Sequence, residues 1–547
     1  MLAREYFLRG LSLVVCLGIA DVSGFGFQQQ PLTPGGDSKP TAKDPFTEVF
    51  NQLIEKGLQD WHVAGLAISI VDGNDTFVKG FGFATLPDVP ATPETLWYVG
   101  STTKAQTTAT LATLIDSGNH SELSLGWKTP IADILRDDFV VQNEWATRHL
   151  TLEDAATHRT GMTRHDQSSF WHPDDQRGMI KDTVRNLRNL PYHIEPRTEF
   201  HYCNLFYTVL GHVVESLTGK WLGDVMREVI WKSLGMDATY FDLDDAKAGP
   251  HHVSQGYTWH EDVQQLVPIP YVQSAAMNGA GAVISNVLDY AKWMRCLLNK
   301  DAPFSEAVHA EIRKPRMIAD FITIGSDVTT YSLSWFQANI YGRNLYWHSG
   351  STMTHGALVY WFPDENYGIT IFANSVTPLR QIIMYKLIED RFNVPEDKRI
   401  DVEAKERASE ELMKEWRKNA TELSYPNRPA KPLPPTLGLK DHVGTYHDAG
   451  YGSVEFYLGH HPSRPTETAL VAERSDHAWN ETVRMEHVTG DYWLWMSYIK
   501  GGPPEADSFY KVEFNVGPDG KVSSFVLDNY DWADRVSQGN ITFTRVT

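Results

Sequence analysis

Hydrophobic and polar positions change their spacing several times along this chain. Residues 45–61 put Phe46, Val49, Phe50, Leu53, Ile54 and Leu58 on one side of a helix. Two segments that read as strands follow, 63–71 and 76–84, joined by the turn Asp72-Gly73-Asn74-Asp75, and these predict a β-hairpin. From Ser101 the spacing is helical again. Ala105, Ala109, Leu111, Ala112, Leu114 and Ile115 form an apolar band, and Gly118 stands where a C-terminal cap belongs. Between Leu123 and about Ala280 the pattern predicts mostly helices, among them Phe206–Leu217 and Trp221–Trp231. Residues 163–178 are polar and aromatic without a period, the mark of a long surface loop over a pocket. Strand spacing returns over 331–340, 344–348, 355–362 and 368–373, an antiparallel meander, before a helix at 378–392. A hairpin first, helices between and a meander last predict an α+β domain over residues 45–395. It has one antiparallel sheet built from both ends of the segment, flanked by helices and carrying a helical subdomain.

The remaining chain changes character. Residues 396–437 hold a charged helix and a Pro-rich linker around Tyr425–Pro435. From 438 to 547 there are short alternating segments, 453–458, 468–472, 492–498, 509–516 and 522–527, separated by Gly and Asp turns. They predict a small all-β accessory domain, a barrel or sandwich, that shapes access to a site without supplying chemistry. At the other end, Arg4 and Arg9 precede an apolar run from Leu11 to Ala20, with small residues at Ser23 and Gly24. Residues 1–24 therefore read as a secretory signal and 25–44 as a disordered leader.

Composition narrows the partners. The chain has 547 residues, 42% hydrophobic and 22% charged, with a formal charge of −20. That material buries a large core, and its charge argues against nucleic acid or an anionic membrane surface. No stretch is long enough for stable membrane insertion. Of three cysteines, Cys16 leaves with the signal; Cys203 and Cys296 sit in apolar helical contexts and are expected as free thiols. Asn74, Asn119, Asn419, Asn480 and Asn540 each head an N-x-S/T sequon, as in a secreted glycoprotein. No cofactor or metal motif is present, and neither G-x-S-x-G nor H-E-x-x-H occurs.

Candidate chemistry starts at Ser101. A Ser at the first turn of a helix and Lys104 three residues on share a face, so the amine can lie against the hydroxyl. The helix N-terminus favours both an alkoxide and an uncharged lysine. Two further S-x-x-K matches, Ser497 with Lys500 and Ser508 with Lys511, fall in strand patterns where i and i+3 point apart. Tyr202-Cys203-Asn204 stands at the entry to the Phe206 helix. Tyr202 could take the Ser101 proton if cations lower its pKa, and Asn204 offers a donor and an acceptor to Lys104 and to a substrate amide. His348-Ser349-Gly350 ends a strand. A histidine there can polarise a tyrosine or hold a substrate anion, and Gly350 permits close approach.

In this order, Ser101-x-x-Lys104, Tyr202-x-Asn204 and His348-x-Gly350 resemble the three active-site motifs of the serine β-lactamase-related family. That family comprises class C β-lactamases, D-Ala-D-Ala carboxypeptidases, D-aminopeptidases and family VIII-type esterases, the S12-like peptidases. Supporting stretches are His158-Arg159-Thr160-Gly161-Met162, Leu234-Gly235-Met236, Gly279-Ala280-Gly281 and Tyr331-Ser332-Leu333-Ser334-Trp335. The tail is similar to the lipocalin-like C-terminal domain of some of these peptidases. The resemblance implies a β-lactamase/transpeptidase-like fold and a secreted serine hydrolase that cleaves an ester or amide bond of a small molecule or peptide. Ser101 would form an acyl-enzyme, Lys104 and Tyr202 would move protons, and the N–H groups of Ser101 and Ser351 would make the oxyanion hole. Asn204, His348, Gly350 and Trp335 would meet the substrate. The alternatives are an acyl transferase using the same acyl-enzyme and an inactive ligand-binding homologue. His348 stands where classical members have Lys, and Ser332 and Ser334 where glycines are usual. Both departures favour an esterase or D-peptidase over an efficient β-lactamase.

Overall fold

Nine antiparallel strands form the sheet on which the site is built. They are β1 (Gly65–Asp72), β2 (Asp75–Thr85), β3 (Val89–Pro90), β4 (Met317–Ala319), β5 (Thr329–Tyr331), β6 (Phe336–Ile340), β7 (Arg343–Ser351), β8 (Gly356–Phe362) and β9 (Tyr367–Ala373). Their spatial order is β3-β2-β1-β9-β8-β7-β6-β5-β4. The first and last parts of the domain thus meet at the β1–β9 pair, with Leu66 opposite Ala373 and Ile70 opposite Ile369. This computed structural model describes residues 42–169, 179–319, 323–461, 464–531 and 536–546. The signal segment, the leader up to residue 41 and residues 170–178 of the 163–178 loop lie outside them.

Both sheet faces are covered. Leu66, Ile68 and Ile70 pack with α1 (Glu48–Asp60) and α5 (Leu379–Arg391) in one core cluster. Ala67 and Val71 face the other way and pack with α2 (Thr103–Ser117), α3 (Asn204–Thr218) and α4 (Val287–Asn299). Coverage on both sides explains why β1, β8 and β9 read as nearly continuous apolar runs rather than alternations. The apolar band expected of α2 is only part of the truth. Thr103 through Ala112 are all buried, and the Thr107 and Thr108 hydroxyls donate to carbonyls, Thr107 Oγ1 to Gly279 O at 2.8 Å and Thr108 Oγ1 to Lys104 O at 3.2 Å.

The tail is a closed barrel of eight antiparallel strands: Gly444–Asp448, Gly452–His461, Arg464–Arg474, Glu481–Thr489, Tyr492–Ile499, Ser508–Val516, Val522–Asp531 and Val536–Arg545. Closure comes from the first strand pairing with the last, Tyr446 opposite Arg545. Aromatic rings fill the interior, with Phe525 and Phe543 stacked at 4.7 Å and Tyr446 edge-on to Phe525 at 5.3 Å. The Pro-rich linker lies along the barrel, where Tyr425 Oη donates to Trp493 O at 2.8 Å. The charged helix α6 (Val402–Lys418) packs Trp416 on Phe509 at 4.3 Å and Arg407 over Trp61 at 4.6 Å. Residues 42–547 form one compact unit. Among the described residues no helix is long and apolar enough to cross a membrane, and Cys203 and Cys296 are free buried thiols.

Candidate active site

Ser101 lies in a single 3₁₀ turn, Gly100–Thr102, that runs directly into α2. The turn needs Gly100, whose φ is +51° and whose Cβ would lie 2.7 Å from Ser351 N. Gly350 answers it from the strand, since a Cβ there would meet Val99 O at 2.0 Å. The two glycines let the Ser101 turn rest on the end of β7, with the Ser101 and Ser351 backbones side by side. Gly350 was expected to admit a substrate; the space it leaves is filled instead by the Val99 carbonyl.

Lys104 is completely buried. Its Nζ lies 3.0 Å from Ser101 Oγ, 2.7 Å from Asn204 Oδ1 and 2.8 Å from Ala280 O. Burial pushes its pKa well below the ordinary lysine value, against the opposing pull of Asp166. Asn204 is fixed from the far side, because its Nδ2 donates to both Asp166 carboxylate oxygens at 3.0 and 3.1 Å. That pairing decides which end of the amide faces Lys104.

Tyr202 is hydrogen-bonded with Ser101. Lys104 Nζ lies 4.9 Å and the Arg164 guanidinium 4.8 Å from its ring centroid. Even so, the condition under which Tyr202 would be a base is not met. Burial raises the phenol well above its usual pKa and outweighs Arg164 and the Ser101 hydrogen bond. His348 is also neutral, its pKa pushed down to about 3 by burial and by Lys104. Its Nδ1–H donates to Ser349 O at 2.6 Å, which leaves Nε2 to accept from the Tyr331 hydroxyl at 3.1 Å. The tyrosine it engages is therefore Tyr331 rather than Tyr202, and it carries no charge for an anion. Trp335 corrects another expectation. It is 1% exposed and packs edge-on to Trp361 at 5.5 Å, a core residue away from the pocket.

Ser334 has φ +65°, a conformation that favours glycine, and accounts for its place in the Tyr331–Trp335 stretch. Its hydroxyl donates to Lys104 O at 2.9 Å and lies 2.7 Å from Tyr207 Oη. The pocket itself has a volume of about 230 Å³. Ser101, Tyr202, Asn204, His348, Ser349 and Ser351 line it together with Arg164 and Asp166. β6 begins at Phe336, opposite Trp347, and β7 runs on to Ser351 as one wall.

Sequence reasoning missed Arg164, Asp166 and, from the barrel, Ala478 and Trp479, which close the pocket, and it gave Tyr331 only as part of a supporting stretch. Only the aperiodic polar character of 163–178 hinted at the first two. The sequon asparagines divide by environment. Asn74, Asn119 and Asn540 are exposed. Asn419 and Asn480 are half-buried, with Asn419 Nδ2 donating to Glu415 O at 2.7 Å.

A family model described as Beta-lactamase matches residues 50–389, and one described as Domain of unknown function (DUF3471) matches residues 428–545. Unguisins hydrolase ungD′ of Aspergillus campestris is 35% identical over 489 residues, 88% of this chain and 89% of that one. Unguisins hydrolase ungD of Aspergillus violaceofuscus is 31% identical over 514 residues, 89% and 88% of the two chains. Among solved structures, an octameric penicillin-binding protein homologue from Pyrococcus abyssi superposes with a TM-score of 0.57 at 19% identity, over 91% of this chain and all of that one, a likeness of fold. Taken with the arrangement around Ser101, these matches mean that the chain belongs to the beta-lactamase family and is a serine hydrolase.

Proposed function

We propose that the chain cleaves an amide or ester bond through an acyl-enzyme on Ser101, with Lys104 as the base that activates it. The observation that carries this reading is the three-point setting of Lys104. An uncharged amine has two N–H groups and one lone pair. Asn204 Oδ1 and Ala280 O are acceptors and take the two N–H groups. The lone pair is then left for the Ser101 hydroxyl at 3.0 Å.

In acylation, Ser101 Oγ bonds to the carbonyl carbon while its proton passes to Lys104 Nζ. The N–H groups of Ser101 and Ser351 face the oxygen that becomes negative. Tyr202, held protonated by burial, donates to the departing amine or alkoxide and is reprotonated from Lys104. Water then attacks the ester carbon, giving its proton to the same pair, which returns it to Ser101 Oγ as the bond between that oxygen and the acyl carbon breaks and the acid leaves. The names of the two fungal relatives make unguisins the first compounds to assay. Secretion belongs to the same proposal, supported by the apolar run 11–20 behind Arg4 and Arg9 and by the three exposed sequons.

Incubation with a fluorophosphonate, followed by peptide mapping, tests the reading. The adduct is expected on Ser101 and absent in Ser101→Ala, whose stability falls by at most about 2 kcal/mol for a first-turn hydroxyl. Labelling that persists in Ser101→Ala, or none in the wild type, removes Ser101 from the mechanism.

A further inference from the structure

The barrel does more than accompany the catalytic domain. Its Ser475–Asn480 segment reaches the Ser101 pocket, where Ala478 and Trp479 form part of the wall. The segment is a built feature. Ala478 N–H donates to Ser169 O at 2.9 Å. Arg474, 2% exposed, donates to Gln167 O at 3.1 Å, to Tyr451 O at 2.9 Å and to Glu481 at 3.2 Å. The Asn480 amide nitrogen donates to His477 O at 2.8 Å and Ser475 O at 3.1 Å, closing the loop on itself.

On the other side of Trp479 lies a second, larger cavity of about 670 Å³ between the catalytic domain and the barrel. It shares Ser351 and Trp479 with the Ser101 pocket, so the two spaces meet at that indole. The cleft offers aromatic faces, with the His62 ring stacked on Trp259 at 3.6 Å and Tyr498 on the barrel side. Val376, 52% exposed, lines the catalytic-domain side. Acidic Asp60, Glu261, Glu410, Glu481 and Asp507 outnumber basic Arg407, Lys414 and Arg417, with Glu481 ion-paired to Arg474 at 3.2 Å.

We propose that the cleft binds the part of the substrate remote from the scissile bond, that Trp479 determines specificity where the chain passes between the two spaces, and that the substrate is an extended peptide-like chain of several residues. A wall of rings, hydroxyls and charges of both signs suits an amide backbone with mixed side chains, and its acidic excess argues against a polyanion. A small lactam or single amino-acid ester would fill the Ser101 pocket and leave the cleft empty. Interactions far from the reacting carbonyl can also be spent on positioning it. The proposal rests on the Ser101 acyl-enzyme reading and adds a length requirement to it.

The test uses the full chain and mixed-sequence libraries of capped peptides of two, four and six residues, in all-L and mixed D/L series, with products read by mass spectrometry. The quantity measured is the ratio of kcat/KM for six residues to that for two. In the wild type the ratio exceeds one. In Trp479→Ala, and in Val376→Trp, which narrows the cleft from an exposed position, it falls about tenfold, the scale of losing one buried aromatic contact or its space. Equal ratios in all three proteins, or no peptide cleaved while Ser101 still takes the fluorophosphonate, overturn the cleft and leave the nucleophile standing. A fall in Trp479→Ala alone confines the effect to the small pocket and also overturns it. Failure of Ser101 to label in the wild type is the separate failure of the underlying reading.

Discussion

Replacing Lys104 by Met separates the two consequences of its burial. Activity should fall on the order of 10²- to 10⁴-fold, the share of a positioned base. Stability should move the other way. A lysine whose folded pKa lies below its unfolded value binds fewer protons when folded, so its burial costs nothing above about pH 10.5 and most below the folded pKa. At neutral pH the Met variant is therefore expected to melt higher than the wild type, by calorimetry, with the difference shrinking as pH approaches 10. The same shift fixes the pH dependence of turnover. kcat/KM should rise with pH along one limb that belongs to Lys104, because His348 titrates near 3 and His158 is pushed well below its usual value. Asp166→Asn should damage catalysis through Asn204, whose amide loses the carboxylate that orients it. A loss in kcat greater than in KM, with fluorophosphonate labelling slowed, is the expected pattern. Asn480 belongs at this scale too. Its amide holds a loop and faces the cleft, so peptide mapping of the protein made through a eukaryotic secretory route should find glycans at Asn74, Asn119 and Asn540 and none at Asn480.

Between elements, the contact that matters is the Ser101 turn against the end of β7. Gly350→Ala pushes a methyl into Val99 O, where backbone rather than a flexible side chain must yield. A cost of about 1–3 kcal/mol is expected, together with loss of labelling out of proportion to the loss of fold measured by circular dichroism. Ser334 gives a finer measurement. Ser334→Ala keeps the positive φ and loses the hydroxyl bonds, whereas Ser334→Gly loses the same bonds and relieves the backbone. The Gly variant should be the more stable of the two by about 1 kcal/mol in denaturant melts. Elements were the most legible level of the sequence wherever one face is wet. The α1 stripe and the β1–β2 hairpin are found within three residues of their expected ends. In the barrel, the strands Gly444–Asp448, Glu481–Thr489 and Val536–Arg545 were not anticipated. The first is five residues long, the second carries the buried Arg484 on its outward face over the Tyr498 ring, and the third is interrupted by Gly539.

At the scale of the whole molecule, the barrel holds the segment that holds the site. His165 N–H donates to Gln538 Oε1 at 3.0 Å, and His165 Nδ1 lies 2.6 Å from Tyr451 Oη. Asp166 follows directly, then Gln167 and Ser169 with their bonds to the barrel's Arg474 and Ala478. A chain ending near Tyr425 should therefore label on Ser101 more slowly, on the order of 10- to 100-fold, the penalty of a site displaced by about an ångström. Gln538→Ala, which leaves the barrel's aromatic interior intact, should show a smaller slowing in the same direction. The sequence by itself determined what depends on neighbours along the chain: the amphipathic elements, the Ser101–Lys104 spacing on one helical turn, the all-β character of the tail. Tertiary structure alone decided the protonation states, because a pKa depends on how much water remains around a group, and burial lowers that of Lys104 and raises that of Tyr202. It also decided the walls of the site. Asp166 and Trp479 are more than 300 positions apart in the sequence yet line one pocket, and local periodicity carries no record of a contact at that separation.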